Sequence, residues 1–170
     1  MCYTICGVDS MKVQTGYIYH IKDDFFKIVD DEKLMTNHER GKKRPTYFTI
    51  KDKELLWFIP LSSKVEKYKK IVDNKIKKYG KCDTILIREI LGNDSVILLQ
   101  NAFPTLEKYI DHVHVLENGK PAKVIETLKD EILDRFIYLL KLKSKGINLF
   151  FTNIDKIKNQ MMEELNDYEN

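Results

Sequence analysis

Hydrophobic and polar positions change period several times along the chain, and each change marks an element. Residues 13–20 alternate well enough for a strand. Residues 23–35 read as a helix: Phe25, Ile28, Val29 and Glu32 fall at helical spacing, and Asp23 and Asp24 suit its positive end. Residues 36–44 are a polar loop containing Gly41. Two β-branched and aromatic runs follow, Thr46-Tyr47-Phe48-Thr49-Ile50 and Leu55-Leu56-Trp57-Phe58-Ile59. The charged Lys51-Asp52-Lys53-Glu54 lies between them, which predicts a β-hairpin with a solvated turn. Pro45 and Pro60 bound it, because a residue without an N–H fits at strand limits.

Downstream, Val65, Tyr68, Ile71, Val72 and Ile76 give residues 65–78 one apolar side, and Gly80 stops that helix. Residues 84–91 and 95–100 read as paired strands around Gly92-Asn93-Asp94, and residues 112–116 as a short strand. Pro121 suits a first helical turn. Val124, Leu128, Ile132, Leu139 and Leu142 carry that helix to Gly146, and a last helix covers about residues 153–167. Five or six short antiparallel strands and about four helices predict a single α+β domain over residues 1–170, with two C-terminal helices in residues 121–168.

The hairpin also carries the candidate chemistry. Lys42-Lys43-Arg44-Pro45 leads into its first strand, and Pro60-Leu61-Ser62-Ser63-Lys64 leaves its second, so folding brings the two ends together. The residues gathered there offer positive charge and hydroxyl donors without a carboxylate, which suits a phosphodiester better than a peptide or a sugar. Metal-free RNA cleavage needs the 2′-hydroxyl deprotonated, the phosphorane charge stabilised and the 5′-oxygen protonated. Hydroxyls and lysines can contribute to each step. His112 and His114 alternate on one predicted strand, but no Cys or carboxylate pattern accompanies them, so no metal site and no cofactor are expected.

Composition adds a charge asymmetry. The 170 residues carry 29 Lys and Arg against 26 Asp and Glu, a formal net charge of +3, but the charges are segregated. Residues 64–81 hold eight lysines against Glu66 and Asp73, and residues 153–170 hold five acids against Lys156 and Lys158. Apolar content of 43%, with nine Tyr and eight Phe, is enough for a packed core. Three cysteines without metal-site spacing fit a reducing cytoplasm, and no apolar run reaches the ~18 residues of a membrane helix. The first residues do not read as a signal peptide, and residues 1–10 read as an N-terminal extension ahead of Met11.

The order of these elements resembles the ToxN/AbiQ family, the endoribonuclease toxins of type III toxin–antitoxin systems, and is most similar to the CptN branch. The resemblance rests on a strand and helix over residues 16–34, the basic-Pro hairpin running into Pro60-Leu61-Ser62-Ser63, the Lys-rich stretch after it, and an apolar run ending in Asn101-Ala102-Phe103-Pro104 ahead of two helices. Only the hairpin motif is specific. The resemblance implies a compact antiparallel SH3-like barrel of the Kid/MazF type with added helices. It implies metal-independent cleavage of single-stranded cellular or phage RNA, leaving a 2′,3′-cyclic phosphate. It further implies a small repeated pseudoknot RNA as antitoxin, processed by the toxin and then inhibiting it. Protein and RNA would alternate in a closed ring, in the cytoplasm, with no DNA partner.

Carried onto this sequence, the resemblance implies Lys43, Ser62, Ser63 and Lys64 as catalytic, since Lys43 lies twenty residues before Ser63, the family's separation of lysine and serine. Two departures widen the set. The family places a lysine two positions past the serine, where this chain has Val65, so Lys64 or Lys67 must supply that charge. The family's tyrosine upstream of its lysine is missing, and His38 occupies the region; Arg44 is the alternative to Lys43. Candidate RNA contacts are Arg40, Lys42, Arg44, Lys67, Lys69, Lys70 and Lys77, with Tyr68 and Tyr79 as stacking platforms. Two other readings stand beside this one: a MazF-like interferase with a protein antitoxin, and an RNA-binding module without catalysis.

Overall fold

A computed structural model of the chain describes residues 12–29, 31–39 and 41–169. The expected extension at residues 1–10, and Arg40, lie outside them. The elements are β1 (Ile18–Ile21), α1 (Asp23–Ile28), β2 (His38–Glu39), β3 (Lys42–Lys43), β4 (Thr46–Asp52), β5 (Leu55–Ser62), α2 (Val65–Tyr79), β6 (Leu86–Ile90), β7 (Asn93–Ile97), β8 (Phe103–Thr105), β9 (Ile110–Val113), α3 (Glu126–Ser144) and α4 (Ile154–Glu169). The α+β class and the four helices match the expectation.

Strand β5 organises the molecule. One edge pairs with β4 from Leu55 to Pro60, and the other pairs first with β8 and then, at Leu61 and Ser62, with β7. Every residue of β5 is buried because both faces are covered. Trp57 and Ile59 pack with Leu128, Ile132 and Phe136 of α3, whereas Leu56 and Phe58 pack with Phe25, Phe103 and the α4 residues Ile157 and Met161. A strand covered on both faces reads as a continuous apolar run, as this one does. The third cluster forms under α2, where Tyr68 meets Ile85, Val96 and Leu98.

The hydrogen-bonded order is β6-β7-β5-β4-β1-β9, with every pair antiparallel. The path is open: β6 and β9 end it. No helix among the described residues is long and apolar enough to cross a membrane.

Several boundaries differ from the sequence reading. The first helix ends at Ile28, because Val29 turns to an extended conformation and caps back to the Phe25 carbonyl. Within the expected polar loop lies a two-residue hairpin, β2–β3, pairing His38 with Lys43. The strand expected over residues 112–116 is Ile110–Val113, shifted so that it pairs with β1. Pro121 does not open α3; it bridges Val115, and the helix starts five residues later. Strand β8 went unrecognised because Pro104 sits within it, opposite Trp57. Helix α2 ends as expected, with Gly80 at φ 79°, a left-handed cap that spares a side chain the strain.

Candidate active-site cleft

A cleft of about 870 Å³ lies where the open sheet curls back and leaves its two ends apart. One wall is Ile18, His20, His112, His114 and Leu116, from β1, β9 and the segment after it. The other is Ile90, Leu91, Asn93 and Ser95, from the β6–β7 hairpin. Between them lie Glu39, Lys42, Lys43, Arg44, Pro45, Leu61, Ser62 and Ser63. Both ends of the central hairpin therefore reach one cavity, as the sequence predicts.

The candidates divide once placed. Lys43 lines the cleft and its Nζ lies 2.6 Å from Asp111 Oδ2, so the carboxylate raises the lysine pKa and is itself held below the usual range. Ser63 lines the cleft and is exposed. Ser62 also lines it but is the buried last residue of β5, its Oγ accepting the Lys64 N–H at 3.2 Å. Lys42 is exposed at the rim.

Arg44 is not a solvated cation. Its side chain is only 5% exposed, and its guanidinium donates to the Thr36 and Leu61 carbonyls and to Glu39 Oε2. It joins the β2–β3 hairpin to β5 and is buried as a clamp, although it also borders the cleft. Lys64 lies outside the cleft lining, its Nζ 3.3 Å from the other Glu39 oxygen. The expectation of a carboxylate-free site is thus corrected: Glu39 and Asp111 are both present, each beside a cation. They went unseen because Asp111 is far from the hairpin in sequence, and Glu39 reads as one charge among many.

His38 stands apart, exposed, with Nε2 2.8 Å from Asp23 Oδ1, and does not line the cleft. Lys67 lies on α2 outside the cleft, its Nζ 5.4 Å from the centre of the Tyr68 ring. Tyr68 is 7% exposed within the core, so it cannot stack on a base; helical spacing placed it on the apolar side of α2, and that is where it is. Tyr79 is 64% exposed at the end of α2, with Lys78 Nζ 5.0 Å over its ring. Lys69, Lys70 and Lys77 are exposed along the same helix, Lys69 paired with Glu66.

A group of three imidazoles is the feature that sequence reasoning missed. Strand pairing sets His20 opposite His112, and their rings stack with centroids 4.7 Å apart. His20 Nε2 and His114 Nδ1 are 2.9 Å apart, sharing one hydrogen. Burial, then the neighbouring His112 and His114, pushes the His20 pKa down to about 4, and burial also lowers that of His114. His112 is half-exposed, its Nδ1 3.2 Å from the carboxylate oxygen that holds Lys43. Stacked and mutually bonded rings do not converge on one point, and among the described residues no group of three or more His, Cys, Asp or Glu is arranged to hold a metal ion. His112 and His114 were visible in sequence; His20 joins them only through the β1–β9 register.

No family model matches the chain, and no curated protein sequence matches it. Solved structures do. AbiQ, a lactococcal anti-phage endoribonuclease of a type III toxin–antitoxin system, superposes with a TM-score of 0.67 at 10% identity, over 90% of this chain and 99% of AbiQ. A bacterial type III toxin that is selectively inhibited by a non-coding RNA pseudoknot superposes with a TM-score of 0.61 at 15% identity, over 89% of this chain and 98% of that one. Such likeness across nearly the whole of each chain shows that this protein has the fold of the type III toxins of the ToxN/AbiQ group.

Proposed function

We propose that this protein is an endoribonuclease toxin of a type III toxin–antitoxin system, acting in the cytoplasm on single-stranded RNA. It cleaves by attack of the 2′-hydroxyl on the adjacent phosphate, leaving a 2′,3′-cyclic phosphate and a 5′-hydroxyl. Its antitoxin is a small repeated RNA pseudoknot that it processes and that then occupies it, with protein and RNA alternating in a ring. The observation that carries this reading is the cleft between the sheet ends, where Lys43 and Ser63 lie together on the fold of an anti-phage endoribonuclease.

Within this proposal Lys43 supplies fixed positive charge to the phosphorane, and the Ser63 hydroxyl donates a hydrogen bond to a non-bridging oxygen. Ser62, buried with its Oγ bonded to the Lys64 N–H, sets the course of the backbone at Ser63. Lys64 and Lys67, on the adjoining stretch, contact flanking phosphates. Metal independence is supported by the state of the two carboxylates at the cleft: Asp111 is paired with Lys43, and Glu39 with Arg44 and Lys64, so neither is free to bind a divalent cation.

The test is incubation of the purified chain with single-stranded RNA in excess EDTA. Cleavage giving cyclic-phosphate 3′ ends, abolished by Lys43→Ala and by Ser63→Ala, is the expected result. A shift of intact RNA would instead indicate a binding module, and activity lost in EDTA and restored by Mg²⁺ would overturn the metal-free mechanism.

A further inference from the structure

The cleft holds a group fitted to move a proton, which neither Lys43 nor the serines can easily do near neutral pH. Lys43 is stabilised as the cation by Asp111, and a serine hydroxyl does not ionise in that range. Imidazole is the side chain that exchanges protons there without a large perturbation. Three line this cleft, and their surroundings differ.

His20 and His114 are tied to each other. If His20 Nε2–H donates to His114 Nδ1, then His20 Nδ1 is left as an acceptor, buried and without a partner. The opposite tautomer would bury an unpartnered N–H at that atom, the less tolerated arrangement. Both rings are held neutral by burial. His112 differs. It is 56% exposed, and its Nδ1 is beside the Asp111 carboxylate, which favours the proton on Nδ1 and leaves the Nε2 lone pair free. Beneath it lies the stacked face of His20.

We propose that His112 is the general base of this cleft, oriented by Asp111 and by the His20 ring on which it lies. This rests on the nuclease reading above and assigns its proton acceptor. The 2′-hydroxyl gives its proton to His112 Nε2 as the 2′-oxygen bonds to phosphorus. The bond from phosphorus to the 5′-oxygen breaks. The departing oxygen takes a proton from a water molecule, and the hydroxide so formed takes the proton from the His112 imidazolium, so no net proton is consumed. Asp111 thereby joins the charge on Lys43 to the base, contacting Lys43 Nζ and His112 Nδ1 through the same oxygen. The charged and titratable groups around His112 are Asp111 on its own strand, Lys43 on the far side of that carboxylate, His20 on β1, His114 beyond β9, and Lys42, Arg44 and Glu39 between the two walls.

The experiment is single-turnover cleavage of a labelled single-stranded RNA of mixed sequence by the full chain, from about pH 5 to 9. Wild type is compared with His112→Gln, His112→Ala and His114→Gln, and circular dichroism checks each fold. His112→Gln should lose about 10²- to 10⁴-fold in rate at unchanged RNA affinity, together with the pH dependence that wild type shows. Added imidazole should restore part of the rate to His112→Ala, and His114→Gln should keep the wild-type pH profile. If wild type cleaves and His112→Gln cleaves within about threefold of it with the same profile, the assignment is overturned while the nuclease reading stands. A slow His112→Gln with an unaltered pH profile and no imidazole rescue would mark a structural role and also overturn it. A wild type that cleaves no RNA would remove both.

Discussion

At the scale of single residues, neighbours of the same charge in the sequence carry different tasks. Lys42, Lys43 and Arg44 form one basic run, yet one is exposed, one is paired in the cleft, and one is a buried clamp. Nothing local distinguishes them, since the burial of Arg44 depends on Thr36, Glu39 and Leu61 closing around it. Arg44→Ala would leave Glu39 with only Lys64 and strip two carbonyls of their donor. It should destabilise the fold by about 3–5 kcal/mol in urea denaturation, because removing one member of a buried pair strands the other. An unchanged midpoint would show that Arg44 is not a clamp. His20 gives a second residue-scale prediction. Its folded pKa of about 4 lies below the ordinary value of 6.5, so the unfolded chain takes up a proton first as pH falls. Stability from this group is complete above pH ~6.5 and is lost progressively toward and below pH ~4, about 3 kcal/mol in all. His20→Gln should flatten that part of the urea-stability profile, and a variant with the wild-type slope would contradict the burial argument.

At the scale of elements, periodicity worked where an element is long and one-sided. Helices α2, α3 and α4 and the β4–β5 hairpin stand close to where hydrophobic spacing puts them. It failed for β2 and β3, a local hairpin whose two-residue strands are too short to show a period, and for β8, three residues long and held by a partner remote in sequence. The same limit hid the imidazole group, since two of its members are separated from the third by some ninety positions and only the β1–β9 ladder joins them. On α2 the exposed lysines remain the proposed RNA grip, whereas Tyr68 is withdrawn from it by burial. Changing Lys69, Lys70 and Lys77 together to Gln should flatten the logarithmic salt dependence of RNA affinity by about two units if all three touch phosphate, at about 0.7 per contact on single strands. Cleavage of a short RNA should be largely kept, and a salt slope equal to wild type would make this helix merely a solvated face. Gly80→Ala at the end of the same helix should cost about 1 kcal/mol through the left-handed cap alone, since nothing lies within 4 Å of the added methyl.

At the scale of the whole molecule, the α+β class and the meeting of the hairpin ends were legible because hairpin closure is local. The cleft itself was not, since it is made by the failure of a seven-stranded sheet to close on itself. That gap divides the walls by origin. Lys43, Asp111 and the three imidazoles belong to one side, rooted in β1, β3 and β9, while the β6–β7 hairpin supplies the other with Asn93, Ser95 and the exposed Leu91. The reactive wall is held within itself by ion pairs and ring stacking, whereas the facing wall is tied to α3, through Arg88 and Glu131. Such a molecule can exchange the residues of one hairpin without disturbing the other wall. If the cleft cuts RNA, the choice of which sequence is cut can drift under selection while the chemistry of cutting stays fixed, which is how a lineage of toxins would keep pace with changing antitoxins and targets.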